Sequence, residues 1–160
     1  MIDREIVAFR PEHAGAFSAL NRAWLDAYRL YEPADEAQLA HPMSAIIGIG
    51  GAIFIALGDG VVVGTAAVIP HGADEMELAK LTVAEAARGS GIGRKLAEAC
   101  IALARSRRVH RLVLVSSSRL DAALRLYESL GFARRPLPAV LPYVTADVYM
   151  ELEVGPGPMG

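Results

Sequence analysis

The sequence predicts a mixed α/β (α+β) fold, and three observations carry that reading. Of 160 residues, 53% are hydrophobic and 21% charged, the balance of one globular domain with a sizeable core. Asp59-Gly60 separates two apolar runs in the manner of a hairpin turn. Further on, Met76 to Val83, Gly91 to Arg107 and Arg111 to Val115 read as strand, helix and strand.

Taken in order, Glu5 to Arg10 reads as a first strand, and Pro11-Glu12 opens an amphipathic helix with Ala16, Leu20, Trp24 and Tyr28 at helical spacing. That helix ends before Pro33, and a loop or short helix follows through Glu32 to Glu36. Met43 to Gly58 carries no charge, but it falls short of the roughly 20 apolar residues a bilayer requires and is broken by Gly48, Gly50 and Gly51. Its second part, Ala52 to Leu57, reads instead as a buried strand, with Val61 to Ile69 as its hairpin partner. A turn at Pro70 to Ala73 leads to Met76 to Val83. In the helix from Gly91 to Arg107, one face holds Ile92, Leu96, Ala99 or Cys100, and Leu103. After Arg111 to Val115, Leu120 to Leu130 forms another helix, stopped by Gly131 just past its end. Phe132 starts the next extended segment and Ala146 to Val154 the last strand. No repeat or linker divides the chain, so residues 1–154 read as a single domain with 155–160 as a fraying, disordered tail.

Several functions are disfavoured by residue content. Cys100 is the lone cysteine and sits among Leu96, Ala99 and Leu103, as a buried thiol rather than a nucleophile. The four histidines lie far apart without ligand spacing, so no metal is expected. Nothing at the start has the order of a signal peptide, which makes the cytoplasm the expected location. The Arg105, Arg107, Arg108 and Arg111 cluster lacks aromatic neighbours for base stacking, so nucleic acid is not an expected partner, and with Met43 to Gly58 too short for a bilayer neither is a membrane. Charge is uneven: residues 1–80 hold 11 acids and 5 bases, residues 81–160 hold 7 acids and 11 bases. That asymmetry suggests two binding surfaces of opposite sign, or solvated surface charge alone.

The strongest chemical signal is Arg88-Gly89-Ser90-Gly91-Ile92-Gly93-Arg94-Lys95, between a strand and a helix. Glycines allow close backbone approach, and the first amides of a helix point outward at the positive end of its dipole, which suits phosphate. A P-loop reading fails because Arg94 separates Gly93 from Lys95 and Leu96 follows. A dinucleotide reading is poor because Arg94 stands where a third glycine belongs, and the next strand ends in Ser116, Ser117 and Ser118 rather than an acid.

These residues resemble the GNAT superfamily of N-acetyltransferases, whose signature of Arg or Gln, two residues, Gly, one residue, then Gly or Ala is filled by Arg88, Gly91 and Gly93. The likeness extends to Leu81-Thr82-Val83 before the loop and to Leu126-Tyr127-Glu128-Ser129-Leu130-Gly131-Phe132 after it. It implies a mixed, twisted sheet of about seven strands flanked by helices, whose fourth and fifth strands splay apart. Acetyl-coenzyme A would be the cosubstrate, held by Leu81, Thr82, Val83, Arg88, Gly89, Ser90, Gly91, Ile92, Gly93 and Arg94. Ser117 stands near the place of an asparagine that often contacts pantetheine. The resemblance also implies direct acetyl transfer in a ternary complex to a primary amine of a small molecule or peptide, and homodimers are common in such folds. The alternative is a domain that binds acetyl-coenzyme A without transfer.

Two residues carry double readings. Glu77 matches a general-base position of some family members, or is a solvated acid beside Asp74 and Glu75. Tyr127 matches the residue that protonates the departing thiolate, or is one more core aromatic. The loops that face the acceptor in the family include Glu32, Asp35 and Glu36, which suggests cationic acceptors.

Overall fold

The computed structural model describes residues 4–141 and 143–155. Among the described residues seven strands form one sheet: β1 (Arg4–Ala8), β2 (Ala52–Gly58), β3 (Val61–Pro70), β4 (Glu75–Val83), β5 (Arg111–Ser116), β6 (Ala133–Arg135) and β7 (Val148–Glu153). Their order is β1-β2-β3-β4-β5-β7-β6. The β4–β5 pair is parallel and the others antiparallel, so the sheet is mixed as expected. The helices are α1 (Ala14–Ala27), α2 (Pro33–Ala40), α3 (Pro42–Ala45), α4 (Ile92–Ser106) and α5 (Asp121–Ser129).

β3 is buried on both faces, and its side chains alternate between two cores. Ala66 and Val68 join Leu96 and Cys100 of α4 and Leu124 and Tyr127 of α5. Ala67 and Ile69 join Phe17 and Leu25 of α1 and Leu39 of α2. This two-sided burial follows from strands that are apolar throughout rather than alternating. Cys100 is fully buried on α4, where burial pushes its thiol well above the ordinary range; it, rather than Ala99, belongs to the core.

Three expectations need correction. The first strand ends at Ala8 rather than Arg10, because the Arg10 amide donates to His13 Nδ1 at 3.0 Å and turns the chain into a 3₁₀ turn over Pro11–His13. The buried stripe on α1 is Phe17, Asn21 and Leu25, not Ala16, Leu20, Trp24 and Tyr28. The segment after Glu32, read as a loop or short helix, is the short helix α2, with Glu32 as its N-cap residue and Pro33 at its first position. Gly155, expected to fray, donates its amide to His110 O at 3.2 Å. The rest of that expected tail, 156–160, lies outside the described residues.

The end of α5 is a Schellman motif, as the sequence reading of Gly131 required. Gly131 has φ of 103° and its amide donates to Glu128 O at 3.0 Å, while the Phe132 amide donates to Tyr127 O at 3.0 Å. The Phe132 ring then meets the Tyr127 ring edge-on, with centroids 5.9 Å apart. Backbone closure thus holds Tyr127 against a fixed apolar partner.

Candidate active site

β4 and β5 pair only through Glu75↔Arg111, Met76↔Leu112 and Glu77↔Val113. Beyond that last rung β4 runs on to Val83 and β5 to Ser116, while β7 stays paired with β5 along its whole length. The two strands therefore part like a V with Glu77 at the vertex. A cleft of about 650 Å³ fills the gap, lined by Leu78 to Val83 on one side and Val115 to Ser117 on the other.

At the mouth of the V the glycine loop caps α4. Gly89 and Gly91 have φ of 79° and 85°, conformations in which a side chain is strained, and Gly91 is the N-cap residue. The first bond closing the helix runs from the Lys95 amide to Gly91 O at 3.1 Å. The amides of Ile92, Gly93 and Arg94 consequently have no intrahelical acceptor. Of the sequence candidates, Arg88, Gly89, Gly91, Ile92 and Gly93 line the cleft, whereas Ser90 and Arg94 do not. The Ser90 hydroxyl donates to Ala87 O, and the Arg94 guanidinium donates to the Ser129 hydroxyl, so both side chains brace the loop. Arg119 and Arg125 line the cleft as well and escaped the sequence reading, since neither belongs to a motif.

β4 carries a bulge at the depth of the cleft. Thr65 pairs with Thr82 and Ala67 with Ala79, so Lys80 and Leu81 face the single Ala66, and Lys80 has φ of 55°. A buried polar ring holds it. Asn21 Nδ2 donates to Thr65 Oγ1 at 3.0 Å, Thr65 Oγ1 donates to Lys80 O at 2.8 Å, and Thr82 Oγ1 donates to Asn21 Oδ1 at 2.7 Å. Thr82 is thus committed through its side chain to the fold, and only its backbone is left to face a ligand. The Ala84 amide donates across the sheet to Val63 O at 2.8 Å, so by strand alternation the preceding amide, that of Val83, points toward the open side.

The acids named from the sequence do not behave as a free anionic surface. Glu32 is buried, and its carboxylate accepts from the amides of Val144 at 2.6 Å and Thr145 at 2.9 Å and from the Thr145 hydroxyl. Burial alone would raise its pKa, but the hydrogen bonds from Thr145 and Val144 outweigh it and hold the carboxyl below its ordinary range. Asp35 is buried in an ion pair with Lys80. Glu36 forms a two-bond pair with Arg22 at 2.8 Å and accepts from Tyr31, which together hold it at about 2. All three are already partnered within the fold.

Glu77 lines the cleft with its side chain 17% exposed, and its Oε1 lies 2.6 Å from His71 Nε2. That hydrogen bond raises the His71 pKa against a smaller opposing effect of burial. His71 was missed by sequence reasoning, although the turn at Pro70 to Ala73 carried the signal. The His71 amide donates to Glu75 O at 2.9 Å, and side chains two apart on a strand share a face, so Glu77 is the diagonal neighbour.

Tyr127 is 8% exposed yet lines the cleft. Burial, then the nearby Cys100 thiol, push its phenol well above the ordinary range, so it is neutral and keeps its proton at neutral pH. Ser117 also lines the cleft, with its hydroxyl accepting the Arg119 amide at 3.3 Å. Tyr143, which no motif marked, reaches the cleft from the segment that Glu32 pins. Its ring centroid is 5.7 Å from Lys80 Nζ.

A parted β4–β5 pair with a helix-capping glycine loop in the gap is the arrangement that the resemblance to the GNAT superfamily implies. Residues 17–132 match the family model for the acetyltransferase (GNAT) family, and the chain belongs to that family. The rat protein called N-acetyltransferase family 8 member 2 is 29% identical over 104 residues, spanning 62% of this chain and 46% of the rat protein. The match thus covers less than half of that relative. Among solved structures, a GNAT-family acetyltransferase from Staphylococcus aureus superposes with a TM-score of 0.86 at 17% identity, covering 95% of this chain and 99% of that one. The yncA protein of Salmonella typhimurium, solved with its cofactor acetyl-CoA, gives 0.74 at 23% identity, covering 99% and 98%.

Proposed function

We propose that this chain is an N-acetyltransferase that passes an acetyl group from acetyl-coenzyme A directly to a primary amine of a small molecule or peptide. The observation that carries this reading is the V between β4 and β5, with a helix N-terminus at its mouth and the Glu77 carboxylate at its vertex. One sheet through all the described strands supports residues 1–154 acting as one unit. The cleft fits the cosubstrate: the uncapped amides of Ile92 to Arg94 suit a pyrophosphate, and Arg88, Arg119 and Arg125 add positive charge to the cleft lining. Ser117 would stand beside the pantetheine arm, and Leu81 to Val83 beside the thioester carbonyl.

Acetyl-coenzyme A supplies an activated thioester, and the residues of the chain do three things. Glu77 removes the ammonium proton, through water for a basic alkyl amine, and His71 at 2.6 Å relays it toward solvent. The Val83 amide, fixed by the bulged strand, polarises the carbonyl as a preorganised dipole. Tyr127, neutral and facing the cleft, donates its proton to the departing sulfur.

The test is calorimetric binding of acetyl-coenzyme A together with thiol release over a panel of primary amines. Binding with amine-dependent release supports the enzyme. Binding without release by any amine identifies a sensor domain, and absence of binding removes both readings. Glu77→Gln should bind the cosubstrate with unchanged affinity and lose about 10²–10⁴-fold in kcat.

A further inference from the structure

We infer that the acceptor is a primary amine carried on an aromatic group, a reading that rests on the acetyltransferase assignment of the cleft and names its substrate class. Besides the strands and the glycine loop, the cleft is walled by Trp24, Leu25, Tyr28 and Leu30 at and just past the end of α1, the wall that this reading gives to the acceptor. Trp24 and Tyr28 lie with ring centroids 5.0 Å apart at 46°, a tilted aromatic pair. Trp24 packs one side against the core that holds Phe17 and Leu25 and still lines the cleft, and Tyr28 beside it is exposed, so both rings present surface to a ligand.

The wall is preorganised. Tyr28 is the C-cap of α1, Arg29 has φ of 55° and donates its amide to Asp26 O at 3.1 Å, and the Leu30 amide donates to Leu25 O at 2.8 Å. That is a second Schellman closure, and it fixes the rings relative to β4 before any ligand arrives. Tyr143, which also lines the cleft, is held by the chain segment whose Val144 and Thr145 amides bind Glu32.

Charge in the cleft narrows the class further. Asp35 and Lys80 neutralise each other, and Glu32 and Glu36, outside the cleft lining, are bonded elsewhere. Among the described residues three carboxylates line the cleft: Asp35 is paired with Lys80, Asp121 stands in the first turn of α5 in the stretch that carries Arg119 and Arg125, and Glu77 at the vertex faces a titratable histidine rather than a fixed cation. One carboxylate suits one ammonium group, and rings suit a flat apolar remainder. A polycation such as a polyamine or aminoglycoside would leave further ammonium groups without partners against an apolar wall, which is costly.

Trp24 is the only tryptophan of the chain, so its fluorescence reports on this wall directly. The full chain, saturated with coenzyme A, is titrated with phenethylamine, n-butylamine and spermidine. Transfer rates are measured separately with acetyl-coenzyme A and the same amines. Phenethylamine should change the Trp24 emission saturably, and its kcat/KM should exceed that of butylamine by roughly tenfold or more. Trp24→Ala should erase most of that preference while the KM for acetyl-coenzyme A moves little; Tyr28→Ala, read the same way, guards against misfolding of the first variant. Preference for spermidine or butylamine, or an aromatic preference untouched in both variants, overturns the inference while leaving the acetyltransferase reading intact. If no amine is acetylated, the enzyme reading fails by itself. Fluorescence then still decides the aromatic site, for it or against it.

Discussion

His71 and Glu77 are diagonal neighbours across the β3–β4 turn, with Nε2 and Oε1 2.6 Å apart and Glu77 on the last rung before the strands part. The hairpin therefore delivers an ionisable pair to the vertex of the cleft. Because the Glu77 hydrogen bond raises the His71 pKa, folding binds a proton more tightly at His71 than the unfolded chain does. The stabilisation is fully present below the unfolded histidine value of about 6.5 and is lost as pH rises through the raised folded value. With His71 nearly half exposed the effect is small. Urea midpoints of the parent and His71→Gln should differ most near pH ~6, close to the unfolded histidine value, and converge once pH has passed the raised folded value. A gap that grows with pH would refute the pairing.

The polar ring of Asn21, Thr65 and Thr82 leads to a prediction about non-additivity. Asn21 is 1% exposed, and Asn21→Leu leaves the Thr82 hydroxyl buried without its acceptor. A loss of about 1–3 kcal/mol is expected. Removing both partners in Asn21→Leu with Thr82→Val should cost less than the sum of the single changes, because neither then leaves an orphaned group. Strict additivity in a denaturation cycle would show that the ring does not act as a unit.

Gly91→Asp addresses the mouth of the cleft. A Cβ there meets no atom within 4 Å, so the fold has room for it, and the strain comes from φ of 85° alone. The variant should fold with reduced stability yet lose acetyl-coenzyme A affinity, since it places a carboxylate where phosphate would sit on the α4 dipole. Circular dichroism separates folding from binding. Unchanged affinity by calorimetry would remove the glycine loop from the site.

What was legible in the sequence was what neighbours in sequence decide. The Asp59-Gly60 hairpin, the Gly131 stop after α5 and the glycine loop before α4 each depend on residues a few positions apart, and all appear where read. The Asp35–Lys80 pair spans 45 positions and the Glu32 clasp on Val144 spans 112. No local pattern encodes such partners, so the acids of the first half looked like an open anionic surface. The stripe on α1 was misplaced by one residue because Trp24 and Tyr28 look like core residues by type, while the polar Asn21, which is buried, does not. Hydrophobic spacing ranks side chains by their chemistry and cannot see that a cleft, rather than a core, receives them.

Tyr127 is where packing and chemistry are hardest to separate, because its ring is locked by Phe132 and its residue lines the cleft. Tyr127→Phe keeps the ring contact at 5.9 Å and the Schellman closure, both of which need no hydroxyl. Thermal stability should change little. Burial keeps the phenol protonated, so a proton is available for the departing sulfur throughout the neutral range. If that proton is used in the transition state, kcat should fall about 10²–10⁴-fold with acetyl-coenzyme A affinity unchanged. The fall should shrink for acyl donors with more acidic thiols, which leave as thiolates without help. Steady-state rates of the two proteins on one amine, with a coenzyme A thioester and an aryl thioester, measure both effects. Parent-like turnover by Tyr127→Phe on both donors would make Tyr127 a packing residue and leave the thiolate to depart unaided.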